Sequence, residues 1–119
     1  MLSAMIRLLS WSAPALACGA ALVVVSAGGV SGAGKAPAGR EKAAQCRPCH
    51  GLDGVARLPN AATIAGESEI YLTKQLEAFR AGERQDPQMS IIAKGLSDQD
   101  IADLAAWYSS IKITVEVPE

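Results

Sequence analysis

Two cysteines and a histidine fall within five residues of this 119-residue chain, in the run Gln45-Cys46-Arg47-Pro48-Cys49-His50-Gly51. Elsewhere there is one further cysteine, Cys18, and no other histidine. Two residues between the cysteines set their thiols about one helical turn apart, on one side of the chain. C-x-x-C-H is the attachment signature of c-type haem. The two thiols suit thioether bonds to the two vinyl groups on one porphyrin edge. His50 follows Cys46 by four residues, so its imidazole can reach the iron from one face as the proximal ligand.

Other chemistries fit these residues less well. A zinc site needs a fourth ligand, and beyond the N-terminal segment the chain has no further cysteine or histidine. A carboxylate could complete such a site, but no spacing points to one. A thioredoxin-like dithiol needs a strand–helix context that the pattern lacks. A plain disulfide suits an exported protein but leaves His50 unexplained.

An iron held by His50 has a second face, and Met89 is the one soft neutral ligand outside the N-terminal segment. A lone methionine usually fills a core. This one sits in a polar stretch, "ERQDPQMS", off any apolar stripe, 39 residues after His50. A segment of that length can pass round the ring edge. Met89 is therefore the expected distal ligand, and one covalently attached haem c the expected cofactor.

The elements that must hold these residues read as helices. Glu41, Lys42, Ala43, Ala44 and Gln45 are good helix formers leading into Cys46, and Pro48 limits regular continuation. Residues 51–66 carry four glycines or prolines among small residues and read as an irregular loop. In "SEIYLTKQLEAFRAG", Ser68 can cap a helix, Gly82 can end it, and Leu72, Leu76 and Phe79 form one apolar stripe. Around Pro87 a second loop with at most a short helical turn is expected. Ser97 with Asp100 three residues on makes an N-cap, and Leu96 with Ile101 fits a hydrophobic staple. Ile101, Leu104, Tyr108 and Ile111 continue that helix. The tail, residues 112–119, alternates apolar and polar side chains, the pattern of either a strand laid on a partner or a loosely docked end. The fold class is all-α, three or four helices joined by two long loops.

The first third differs in kind. No charge stands between Arg7 and Lys35, the apolar residues are densest over 13–25, and small residues follow. This reads as a secretory signal over residues 1–34, with exit after Ala27 or Ala33, ahead of one domain at 35–119. The alternative is an uncleaved anchor, since the uncharged run is long enough for the ~30 Å of a bilayer core. Cys18 lies inside the apolar run rather than after it, so a small apolar residue of the leader is the simpler reading than a lipidation site. From Lys35 onward, 10 Lys/Arg stand against 12 Asp/Glu, a balance of −2. That gives no general attraction to nucleic acid or to acidic membranes, and no strong steering of partners.

The sequence resembles the small bacterial class I cytochromes c, above all single-haem carriers and the separate halves of two-haem relatives. The likeness rests on "CRPCHGLDG", "IAGESEIYLTKQLEAFRAGER" and "DPQMSIIAKGLSDQDIADLAAWYSS", and runs from about Gly39 to Ile111. It implies Cys46 and Cys49 holding the haem, His50 and Met89 as its axial ligands, and first and last helices that cross near Gly39. It implies too that a proline carbonyl accepts the histidine ring N–H, for which Pro59 is the candidate. Two departures stand out. Ala43 replaces a common aromatic, which suggests a looser helix contact, and Ala62 stands where many members have proline.

Histidine and methionine together fill both axial positions, so one-electron transfer is implied rather than catalysis. The expected function is a periplasmic electron carrier between redox proteins, not an enzyme by itself. The alternative is a dedicated haem subunit of a periplasmic oxidoreductase such as a sulfur-compound dehydrogenase. Membrane association is expected only if the N-terminal segment stays. Leu72, Leu76, Phe79, Ile91, Ile92, Leu104 and Tyr108 are the candidate walls of the haem pocket.

Overall fold

A computed structural model describes residues 32–119. The expected leader, including Cys18 and the exit at Ala27, lies outside them except for its last three residues. The helices are α1 (Ala36–Lys42), α2 (Arg47–His50), α3 (Glu69–Ala81), α4 (Met89–Lys94) and α5 (Asp98–Ser109), with a 3₁₀ turn (Ala43–Gln45) joining α1 to α2. Residues 36–50 run almost without interruption, so the helices group into four units, within the expected three or four, and no strand forms among the described residues.

Local chemistry sets the helix ends. Pro48 falls in the first turn of α2, where its missing N–H costs nothing, so the chain tightens at 43–45 and starts a fresh turn. Ser68 Oγ accepts from Tyr71 N (3.2 Å) at the start of α3, and Gly82, at φ 79°, ends it. The reciprocal capping of α5 is complete: Ser97 N donates to Asp100 Oδ2 (2.9 Å) and Asp100 N to Ser97 Oγ (3.1 Å). Lys42 also pairs with Asp100. This pairing and the Ser97 hydrogen bonds hold the Asp100 carboxyl down at about 2. Leu96 and Ile101, on either side of the cap, are both buried.

α1 crosses α5 at close range. A Cβ on Gly39 would overlap the Asp103 carbonyl and the Trp107 side chain, so only glycine permits this approach. Buried Asp103 accepts from Lys35 N (2.9 Å) and from Gln99 (2.9 Å), fastening the entry to α1; these bonds keep its carboxyl low. Ala43, Leu72, Leu96, Ile101, Leu104, Ala105 and Tyr108 form the core. The expected looseness at Ala43 is corrected here: Ala43 is 0% exposed, because its small side chain lets α1 settle onto the cluster. Arg80 joins α3 to the start of α5 through Leu96 O (3.0 Å) and Asp98 (2.6 Å).

Residues 111–119 adopt no regular structure, and Ile113, Val115 and Val117 are exposed. Among the described residues no helix is long and apolar enough to cross a membrane.

Candidate haem-attachment site

Between α2, α3, α4 and α5 lies a cavity of about 370 Å³. Cys46, Cys49, His50 and Met89 all line it. The sequence-derived set therefore converges on one space, although Met89 is 39 residues from His50 and on a separate helix.

α2 delivers the first three. Its single turn, closed by Cys49 N and His50 N donating to Cys46 O (3.2 and 2.9 Å), gives both free cysteines and the histidine a common wall. Burial pushes the Cys46 thiol up, partly offset by Tyr108. The Tyr108 phenol is pushed up as well, first by burial and then by Cys46 beside it. Both groups are therefore neutral at physiological pH.

His50 is oriented through its other nitrogen. Nδ1 lies 2.7 Å from Ala62 O, and since a carbonyl can only accept, Nδ1 carries the proton. That leaves the Nε2 lone pair free for a metal. Pro59, expected in this role, does not fill it. Ala61 N donates to Leu58 O (3.1 Å), so Pro59 occupies the second position of a tight turn, where its fixed φ is useful. The turn then presents the Ala62 carbonyl to the ring. Any residue supplies a carbonyl, so the alanine side chain does not mark it; the one sequence signal was that Ala62 stands where many members of the resembled family have proline.

Met89 opens α4 rather than lying in a loop as expected. Asp86 Oδ1 accepts from Gln88 N (2.9 Å) and Met89 N (2.8 Å), which fixes the helix start and keeps the Asp86 carboxyl low. Pro87 fits because it lies just ahead of α4, where no helical N–H is required of it.

The walls match expectation at six of seven positions: Leu72, Leu76, Phe79, Ile92, Leu104 and Tyr108 line the cavity. Ile91 does not. It is 75% exposed on the outer face of α4, because a six-residue helix turns only part of its surface inward. Sequence reading also missed Arg84, whose guanidinium sits 4.5 Å over the Phe79 ring and lines the same space. Its one sequence signal is that it is the sole basic residue between Gly82 and Met89.

Two thiols on one wall, an imidazole with Nε2 available, a thioether in the same cavity and apolar sides make a donor set that fits a covalently attached c-type haem. Among the described residues no group of three or more His, Cys, Asp or Glu converges to hold a bare metal ion.

No family model matches the chain. It is 46% identical over 83 residues to cytochrome c4 of Pseudomonas aeruginosa, covering 70% of this chain and 41% of that protein. It is 44% identical over 81 residues to cytochrome c-554(548) of Halomonas halodenitrificans, covering 66% of this chain and 98% of that one. A thiosulfate dehydrogenase electron acceptor of Thiomonas intermedia is 41% identical over 73 residues, covering 60% and 33%. The crystal structure of reduced recombinant cytochrome c4 from Pseudomonas stutzeri matches with a TM-score of 0.65 at 42% identity, over 70% of this chain and 48% of that one. The chain thus spans about half the length, or less, of the cytochrome c4 proteins it matches, and nearly all of cytochrome c-554(548). It belongs to the class I cytochromes c, as a homologue of cytochrome c4, and has their all-α fold.

Proposed function

We propose that this chain holds one haem c and works as a one-electron carrier, with Cys46 and Cys49 as thioether anchors and His50 and Met89 as axial ligands. The observation that carries the reading is the convergence of all four on one apolar-walled cavity. Haem bound there supplies one-electron exchange between its ferrous and ferric states, and methionine ligation raises its potential. The chain's own residues do the rest. Ala62 O holds the imidazole in its Nδ1–H tautomer and raises its basicity. Asp86 fixes the backbone of Met89. Leu72, Phe79 and Leu104 exclude water. With both axial positions filled by protein, the site has no opening for a substrate, and the chain is not an enzyme by itself.

Production in a host competent for cytochrome maturation tests this. The expected product is red, one haem heavier than the polypeptide less its leader, with the weak far-red band of thioether-ligated ferric iron in its oxidised form. Colourless protein of bare mass overturns the reading. The same mass measurement tests removal of residues 1–34 and export to the periplasm; a mass that retains them favours an anchor on the periplasmic face of the inner membrane.

A second reading, a haem subunit that serves a sulfur-compound dehydrogenase, is favoured by the likeness to a thiosulfate dehydrogenase electron acceptor. Size-exclusion chromatography of native extract separates the two. A lone small protein supports the carrier, and a stable larger complex supports the subunit.

A further inference from the structure

Behind α2, on the side away from the haem cavity, is an open recess of about 550 Å³. Arg40, Arg47 and Arg57 surround it, with Trp107, Leu52 and Ile111 half-buried among them. The Arg40 guanidinium lies 5.9 Å from the Trp107 ring centroid. Arg57 pairs with Asp53 at 2.8 Å, whereas Arg40 and Arg47 have no ion-pair partner among the described residues. The recess therefore carries a local balance of +2 on a chain whose balance from Lys35 onward is −2. It adjoins the C-terminal end of α5; at the other end Asp98 and Asp100 are paired with Arg80 and Lys42.

The linings of the recess and the haem cavity are joined by a Tyr108–Gly51 contact. Tyr108 lines the cavity and donates its hydroxyl to Gly51 O (3.1 Å), and Gly51 lines the recess. Arg47 itself stands between the two attachment cysteines. A body seated against Gly51 is thus one hydrogen-bonded residue pair away from the cavity.

We propose that this recess is the docking surface for an acidic patch on the protein that exchanges electrons with this one. The inference rests on the haem-carrier reading above. Arginine and tryptophan are the side chains that dominate binding hot spots, here arranged as charge around a partly apolar floor. Complementary charge speeds and orients encounter even where net charge does not. The position gives the orientation a purpose, since it brings the partner to Gly51, which is hydrogen-bonded to the cavity-lining Tyr108.

The test uses the oxidised holoprotein in stopped flow. Reduced flavodoxin serves as an acidic protein donor and photoreduced lumiflavin as a small uncharged one. With flavodoxin, the second-order rate is expected to fall as salt rises, although both proteins are net negative. The Arg40→Glu, Arg47→Glu double variant should lose about tenfold or more at low salt and should react with lumiflavin at the wild-type rate. A wild-type rate that rises with salt, or a variant unchanged towards flavodoxin, overturns the proposal. Equal losses with both donors also overturn it, because the substitutions then act on the haem. Saturable ferrocyanide binding at Trp107, seen by fluorescence, without competition against flavodoxin would assign the recess to small anions and overturn the docking. A variant without haem would instead count against the carrier reading, and its absorption spectrum reports that directly.

Discussion

The α1–α5 crossing and the haem cavity are built in opposite ways. At the crossing, protein meets protein: Gly39 against Asp103 and Trp107, Ala43 and Ile101 fully buried, Asp103 fastening the entry segment. Around the cavity, one long helix, α3, faces α5, and the rest of the wall is drawn from α2, from the loop before α3 and from short α4, pieces too small to close a core. A chain with one phenylalanine and two tyrosines has few large side chains to fill such a space. The difference teaches that one side of the domain is self-complementary while the other is shaped around a group that the sequence does not encode. Without haem the domain should be largely unfolded, because the crossing alone buries too little to offset chain entropy. A native-like helical circular dichroism spectrum of the apo form would contradict this.

The contrast can be broken from the cavity side first. Cys46→Ala with Cys49→Ala should abolish covalent haem altogether, read as bare polypeptide mass and loss of colour after denaturing electrophoresis. From the crossing side, Gly39→Val should cost about 3 kcal/mol, since a Cβ there overlaps backbone. For a domain of this size each kcal/mol lowers the melting temperature by roughly 4–8 °C, while the absorption spectrum of the folded fraction should not change. Met89→Ala should do the reverse. It should lower the reduction potential and remove the far-red band, with a smaller loss of melting temperature than Gly39→Val, as voltammetry and thermal melts of the holoprotein would show.

The smallest effect sharpens the comparison at the cap of α5. Ser97→Ala should cost about 1 kcal/mol, measured by denaturant unfolding. Asp100 is held at about 2 against an ordinary value of 3.8. Its stabilisation is therefore complete above about pH 4 and is lost as pH falls towards 2. Asp100→Asn should flatten stability against pH in that window and leave the reduction potential unmoved.

Much of this was legible in advance, for identifiable reasons. The attachment triplet is contiguous, so spacing alone ties Cys46, Cys49 and His50 together. Ser68, Gly82 and the Ser97–Asp100 pair act within a few residues, so α3 starts and stops and α5 starts where the local pattern says, whereas α5 ends at Ser109, short of the Ile111 that the apolar spacing included. Met89 as a cavity residue followed from elimination. That it begins a helix did not, because Asp86 supplies the cap across Pro87 and the pattern there reads as a turn.

What the sequence determined by itself was the chemistry carried by side-chain identity and short spacing: two thiols, one imidazole, one thioether and the capped helices that frame them. Only the tertiary structure decided that Ala62 rather than Pro59 meets His50, that Ile91 faces outward, and that Arg40, Arg47 and Arg57 gather around Trp107 from the far end of the chain. A backbone carbonyl is the same on every residue, and a helix face or a shared recess exists only once distant segments have packed. Those features depend on geometry that no local run of residues contains.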